Sequence, residues 1–422
     1  MSRFGRQFYT LIEFGSDKIC VLYGSQDEAG KPEILSFAQK SSAGCISKGM
    51  ILDYNAVMKI LKQALHEADK GARIPEDRGE VYYLVNGYPS YTAQGEGSVL
   101  LGDAGKKTTL EHVMTAVERA KSLPEPEDKV RIGDYDSYFV IDRTSRCKDP
   151  TGQLAEQLDA YVHLIYTERK RVERINAMLR ELGFEQGGEP LPASIMPVFS
   201  TLTEDERNQG ALLIDMGAGV TTYAVIMWDG VLMSGTIPAG RDNVVNDLAV
   251  GLDIPYDFAN TFIKESKLRK MRENGLTALE YSDSAVSRKR KIPLDSFEKI
   301  IQLRMREIFS LIKEQIDSKQ LANYIGNGCV LTGGGALIDS SATILQDVMG
   351  IHARTGEPAA GIAGVGGVFR YPPCCYTALL GMLKYVHSNY GENGQARVSD
   401  TLTSIFDNVV YQVKKATGAL KI

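Results

Sequence analysis

Long hydrophobic runs are missing from this chain. Its 422 residues contain no uninterrupted apolar stretch of about 18 residues, so no membrane-spanning helix is expected. The opening MSRFGRQFYTLIEFG has too short an apolar run to read as a secretory signal. Cysteine is sparse, at six residues (Cys20, Cys45, Cys147, Cys329, Cys374, Cys375), and none forms a CxxC pair. With only five histidines, all isolated, this argues against a zinc site or a disulfide framework and fits a reducing compartment. A net charge of −5 gives no nucleic-acid signal. No glycine loop ends in GK[ST] and no GxGxxG follows the first strand, which excludes the P-loop and the Rossmann fingerprint.

What is present is ordinary globular composition, 43% hydrophobic and 24% charged, which excludes extended disorder. A chain of this length predicts two or three domains with proper cores. It opens as strand, turn, strand: Phe8–Glu13, GSDK, then Ile19–Gly24. Val57, Leu61, Ala64, Leu65 and Ala68 make a helical stripe over 54–70. Val81–Val85 reads as a buried strand, and 87–109 as loops and short strands. Thr109 caps a helix through LEHVMTAVERA, as a Thr before an apolar-periodic run does. Strands at 138–142 and 159–166 follow, then a helix with Val172, Ile175, Leu179 and Leu182. Residues 87–166 therefore predict a small α/β module inserted into a larger domain.

The second half restarts in the same way. ALLID at 211–215 precedes a glycine turn, strands at 221–228 and 231–238, and a helix at 242–251. The basic run SRKRK at 287–291 reads as a solvated loop, and a long helix runs from Pro293 to about Ile316. CVLTGGGA predicts strand, glycine turn and helix N-terminus. A helix at 376–387, a polar linker at 388–400 and a last segment at 401–422 follow. Each half thus begins with strand, glycine turn, strand, and each turn follows an acidic residue, Glu13 or Asp215.

That duplication carries the chemistry. In EFGSDK (13–18) and DMGAGVTT (215–222) a carboxylate ends a strand, and glycines then let backbone N–H groups approach an anion. Ser16, Thr221, Thr222 and Lys18 add donors for phosphate oxygens. Glu13 and Asp215 would order the waters of a Mg²⁺ ion, which keeps much of its water shell. One such turn alone is also an ordinary hairpin turn. Two of them, plus LTGGGALI at 331–338, make a nucleotide held between two similar domains the leading reading. Glu189 in GGEPLPAS is a candidate to orient an attacking water, or else a solvated residue beside a proline turn. The segment 401–422 carries Leu402, Ile405, Phe406, Val409 and Val413 at helical spacing. It fits an amphipathic helix on a membrane surface or a helix docked on its own domain.

These motifs resemble the actin-like ATPase superfamily, and within it the bacterial cell-division family FtsA. The family's first phosphate loop, D-I-G-[TS]-x-K, is similar to EFGSDK, with Glu13 in place of Asp. Its second, D-I-G-G-G-[TS]-T-x-I-A-V, is similar to DMGAGVTTYAV, with Ala218 and Val220 as departures. LTEDERNQG, IPAGRDNVVNDLAVGL, LTGGGALI and GEP at 356–358 resemble further family stretches. So does the inserted module, through TTLEHVMTAVERAKS, YFVID and DPTGQLAEQLDAYVHLI. The family's A-E-x-x-K helix is represented by ANTFIK, where Asn260 replaces Glu and Lys264 is displaced by one position.

The resemblance implies a duplicated α/β, actin-like (ribonuclease H-like) two-domain fold with a small α/β insertion in the first half. The expected division is 1–86 with 167–205 as the first core, 87–166 as the inserted module, and 206–251 with 326–388 as the second core. Residues 252–325 form a small subdomain, and 389–422 are linker and amphipathic segment. ATP and Mg²⁺ are the implied cofactors. Nucleotide contacts are expected from Gly15, Ser16, Asp17, Lys18, Gly217, Ala218, Gly219, Thr221, Thr222, Gly240, Asp247, Lys264, Gly333, Gly334, Gly335 and Ala336. The resemblance also implies self-association as a filament or dimer, other divisome proteins as partners, and a partner in FtsZ, bound on the small subdomain near Arg304 and Glu307. It further implies a cytoplasmic protein on the inner membrane face at the division site, tethering FtsZ filaments to an anionic membrane surface. A pilus-assembly actin homologue, or a sugar or metabolite kinase of the same superfamily, is the alternative.

Overall fold

The computed structural model describes residues 8–389 except 28–29, 43, 72–77, 103–104, 284–287 and 359–360. The membrane-binding residues expected at 402–413 lie outside the described residues.

The chain opens with β1 (Tyr9–Phe14), β2 (Lys18–Gln26) and β3 (Pro32–Ser41). Helix α1 (Tyr54–Gly71) buries the five residues of its predicted stripe. Strand β4 (Glu80–Val85) then runs parallel to β1. A second layer follows: β5 (Tyr91–Leu100), α2 (Leu110–Lys121), β6 (Lys129–Ile141), β7 (Ser145–Cys147) and β8 (Gln157–Glu168). These strands form one antiparallel sheet in the order β7-β6-β8-β5, with a core of its own under α2. Thr109 caps α2 through a reciprocal pair with His112. Helix α3 (Arg169–Glu181) leads back, and β9 (Glu189–Pro192) pairs parallel to β4.

After α4 (Met196–Thr201) and α5 (Glu204–Gln209) the design repeats with β10 (Ala211–Met216), β11 (Thr221–Met227) and β12 (Gly230–Ile237). Next come α6 (Arg241–Gly251), α7 (Tyr256–Lys264) and α8 (Lys267–Glu273), then the hairpin β13 (Ala278–Asp283) and β14 (Arg288–Pro293), and α9 (Leu294–Ser318). Strands β15 (Cys329–Thr332) and β16 (Ala353–Thr355) flank α10 (Ser341–Met349), and α11 (Thr377–Asn389) follows. The two five-stranded sheets share one topology, β3-β2-β1-β4-β9 and β12-β11-β10-β15-β16. In each, the first strand is antiparallel to the second and parallel to the fourth.

Four expectations are corrected. Residues 91–100 form a ten-residue strand instead of loops and short strands. The basic run is not a loop from end to end, since Arg288–Lys291 belong to β14. The third glycine turn opens onto a single 3-10 turn, Gly334–Leu337, and the α-helix begins only at Ser341. Finally, α11 was assigned to the second half but joins the first. Leu379, Leu380, Met382, Leu383 and Val386 are buried with Leu11, Leu22 and Met196, because an all-apolar helix face needs the surface that β1, β2 and α4 offer.

Candidate functional site

The site is built from the two copies of the first hairpin. Glu13 is the fifth residue of β1, opposite Cys20 on β2, and Asp215 is the fifth residue of β10, opposite Thr222 on β11. Each strand leaves through a turn closed by the same backbone bond. Gly15 N–H donates to the Lys18 carbonyl at 2.9 Å, and Gly217 N–H donates to the Val220 carbonyl at 2.9 Å. The turns face each other closely: a Cβ on Gly219 would stand 2.6 Å from Ser16 Oγ. Gly333 brings the third turn in beside them. Its φ is +81°, and a Cβ there would lie 2.2 Å from Asp215 Oδ1, so both its conformation and the space require glycine.

Between the turns lies a crevice that gathers most of the expected residues: Glu13, Gly15, Ser16, Asp17, Lys18, Asp215, Gly217, Ala218, Gly219, Thr222, Lys264, Gly333 and Gly334. It is also lined by residues that were not among the expected contacts: Val220, Arg241, Ile263 and Leu337, which lie inside quoted motif stretches, and Gly49, Asn86, Tyr371, Cys375 and Ala378, which lie outside them. Asn86 directly follows β4, and Arg241 is buried at the start of α6. Both are placed by topology rather than by a local signature, although Arg241 stands inside the quoted IPAGRD stretch.

The other expected residues stand elsewhere. Thr221 is buried, its hydroxyl donating to the Ala239 carbonyl at 2.8 Å. Gly240, Gly335 and Ala336 support the turns from behind and are not among the lining residues. Gly335 packs on the Met216 side chain and Gly240 on the Ala218 carbonyl. Asp247 faces α9, where Arg304 Nε donates to its Oδ2 at 2.6 Å and Nη2 to its Oδ1 at 3.2 Å. Arg304 Nη1 also donates to Glu307 Oε2 at 2.6 Å. Glu189 is exposed at the start of β9, in a separate groove with Glu80, Glu185 and Pro190. Because β9 runs parallel to β4, that end points away from the crevice, and the water-orienting role has no geometric support.

The electrostatics of the crevice are those of crowded carboxylates. Burial raises the Glu13 pKa against the opposing charge of Lys18, and Glu13 Oε2 has no hydrogen-bond partner. Burial and the Glu13 charge push Asp215 up to about 7. For Lys18, burial would lower the pKa, but Glu13 first, and Cys20, Cys375 and Tyr376 with it, together outweigh burial and hold it above the ordinary value. Lys18 Nζ donates to the Cys375 carbonyl at 2.9 Å and lies 4.3 Å from the Tyr376 ring centre. Two clustered carboxylates, one with an orphaned oxygen, are a donor set for a hard cation. No cluster of three or more metal-ligating side chains occurs among the described residues.

Comparison with known proteins places this geometry. Residues 212–372 match the family model described as Cell division protein FtsA. Over 390 residues the chain is 24% identical to Cell division protein FtsA of Borreliella burgdorferi, covering 92% of this chain and 93% of that one. Over 414 residues it is 25% identical to the FtsA of Escherichia coli K12, covering 94% of each chain. The chain is similar to FtsA proteins over most of its length. Among solved structures, the chain superposes on the PilM–PilN type IV pilus biogenesis complex with a TM-score of 0.54 and 16% identity, over 89% of this chain and 97% of that one. MreB5 of Spiroplasma citri bound to ADP gives 0.52 at 12% identity, over 92% of this chain and 99% of that one. The fold is that of the actin-like ATPases. No described helix is long and apolar enough to cross a membrane.

Proposed function

We propose that the crevice binds ATP with Mg²⁺ and that the protein acts as an FtsA-type assembly at the division site. The observation that supports this most is the duplicated turn: two hairpins closed by equivalent bonds line one space between Glu13 and Asp215 with glycines, hydroxyl-bearing side chains and Lys18. Glycine turns of this kind cradle phosphates through backbone N–H groups. Gly15–Lys18 and Gly217–Thr222 would hold the phosphate chain, with Gly333 and Gly334 towards the nucleoside. Glu13 and Asp215 would orient the waters of Mg²⁺, which when bound neutralises phosphate charge. The MreB5 structure, bound to ADP, supports the same use of this fold.

The division reading extends to self-association, to linking FtsZ filaments to the membrane through residues 401–422, and to an FtsZ contact on the small subdomain. FtsA names among the relatives support it over the pilus-assembly alternative, which rests on likeness of fold alone. Calorimetric titration with Mg-ATP tests the crevice, and saturable micromolar binding is expected. Absence of any heat or protection at millimolar ATP would refute it. A pull-down with FtsZ tests the division role, and a purified pair that does not associate in the presence of ATP would count against it.

A further inference from the structure

Asp17 belongs to the turn between β1 and β2, in the first half, yet two cations of the second half hold its carboxylate. Lys264 Nζ, at the end of α7, donates to Asp17 Oδ1 at 2.8 Å. Arg241 Nη2, at the start of α6, stands 3.5 Å from the same oxygen. With Lys18 these are the cationic side chains that line the crevice. Arg241 is 7% exposed, its Nη2 also donates to Asp242 Oδ1 at 3.4 Å, and its Nε has no hydrogen-bond partner, so a buried guanidinium that lines the crevice retains unused donor capacity. Burial works against charge on Asp17, but Arg241 and Lys264 outweigh it and hold its pKa below the ordinary value.

We propose that Arg241 and Lys264 form an anion subsite for a phosphate of the nucleotide, and that Asp17 is its internal occupant, competing with phosphate while tying the two halves together. This inference rests on the nucleotide reading above. A carboxylate and a phosphoryl oxygen offer these cations the same charge-assisted acceptor. Three carboxylates (Glu13, Asp17, Asp215) face three cations (Lys18, Arg241, Lys264) across the crevice. The cations thus already have acidic partners before a polyphosphate enters, and a carboxylate must give up its cations for the phosphate to be neutralised by them. Asp17 is the one whose partners both come from the opposite half, so the exchange also releases a tether between the halves. A carboxylate left beside phosphate opposes binding, at an energy set by charge proximity in a partly desolvated cleft.

The test is calorimetric titration of the full chain and of Asp17→Asn with Mg-ATP and, separately, with adenosine. The variant should bind ATP about tenfold more tightly, the order that one charge-assisted hydrogen bond is worth, and adenosine with unchanged affinity. Asp17→Ser should shift ATP affinity in the same direction, which guards against a folding effect of one substitution. Unchanged or weaker ATP binding in both variants overturns the competition. An equal gain for adenosine overturns it too, because Asp17 would then act away from the phosphates. If neither the natural chain nor the variants bind ATP, the nucleotide reading itself fails and the proposal falls with it.

Discussion

Glu13 and Asp215 occupy one position in two copies of the same sheet, and the two copies bring them to a single crevice. Each sits on the first strand of a β3-β2-β1-β4-β9-type sheet, one residue before the strand ends. Each is followed two residues later by a glycine whose N–H closes the turn. Duplication therefore does more than enlarge the core. It converts one carboxylate-and-glycine hairpin, unremarkable alone, into two that face each other, and the charge of Glu13 helps to push Asp215 up to about 7.

Asp215→Asn separates binding from stability. An acid whose folded pKa lies above its unfolded value costs the native state stability as pH rises from about 4 towards 7. The cost persists above that window. The metal-free variant should thus be more stable than the natural chain at pH 8, by up to about 4 kcal/mol for the rise from 3.8 to about 7 at about 1.4 kcal/mol per pKa unit, and equal to it near pH 4. Its Mg²⁺-dependent gain in ATP affinity should fall on the order of 10–100-fold, the scale for groups that orient a metal's ligands. Thermal melts in chelator and ATP titrations with and without Mg²⁺ measure both. An unaltered Mg²⁺ dependence would remove Asp215 from the metal site.

On α9, Arg304 is a poor probe of an FtsZ contact, because it is bound to Asp247 and Glu307. Reversing its charge places an acid beside two others and should destabilise the packing of α6 on α9 by about 1 kcal/mol, within the range of partly exposed ion pairs. Leu303 is 61% exposed on the same helix and offers a cleaner test. Leu303→Glu should weaken FtsZ-tail binding severalfold by fluorescence anisotropy without moving the melting temperature, and equal affinity would exclude this face.

Much of the fold was legible because period and chemistry agreed. The stripe of α1 and the Thr109 cap appear where spacing and capping rules place them. Strand β5 was missed because YTAQGEGSVL lacks the β-branched density of a strand. Its glycines exist for α2, since a Cβ at Gly95 or Gly97 would meet the Ala120 or Ala116 carbonyl at 2.1 and 2.0 Å. The turn residues of the crevice were legible as motifs. Asn86 and Cys375 were not, because they lie outside the motifs and reach it from separate parts of the chain, and Arg241 stood inside a quoted stretch without being singled out. Asp247 and Glu189 show the converse error, a motif position or a suggestive carboxylate that the backbone turns elsewhere.

The proposed membrane anchor turns on thin margins. Five apolar side chains, Leu402, Ile405, Phe406, Val409 and Val413, supply several kcal/mol at about 25 cal/mol per Å² buried. Ordering a free segment into a helix opposes this through lost backbone freedom, and Lys414, Lys415 and Lys421 add about 1 kcal/mol each on anionic lipid. Binding is then weak for one chain and firm for an assembly that presents many. Removing 401–422 should abolish co-sedimentation with anionic liposomes while leaving ATP binding intact. Retained sedimentation would move the anchor elsewhere.

The seam between the inserted sheet and the second half should be acid-labile. His163 on β8 is 4% exposed, and its Nε2 lies 2.9 Å from Ser234 Oγ on β12. The same seam holds Ser90 Oγ donating to Thr236 Oγ1 at 3.1 Å, and Lys148 Nζ reaching Asp229 Oδ2 at 2.8 Å. Burial lowers the His163 pKa from 6.5 to about 4. Above pH 6.5 the imidazole is neutral in both states and costs nothing. Between 6.5 and about 4 the unfolded chain takes a proton that the native chain refuses, so stability falls as pH falls. The loss approaches about 3 kcal/mol, at about 1.4 kcal/mol per pKa unit. His163→Gln can keep a hydrogen bond to Ser234 without titrating. Urea unfolding of both proteins from pH 7.5 to 4.5 should show a steep decline in the natural chain and a shallower one in the variant. Parallel profiles would mean that His163 is protonated at this seam without penalty, and that other groups govern the acid response.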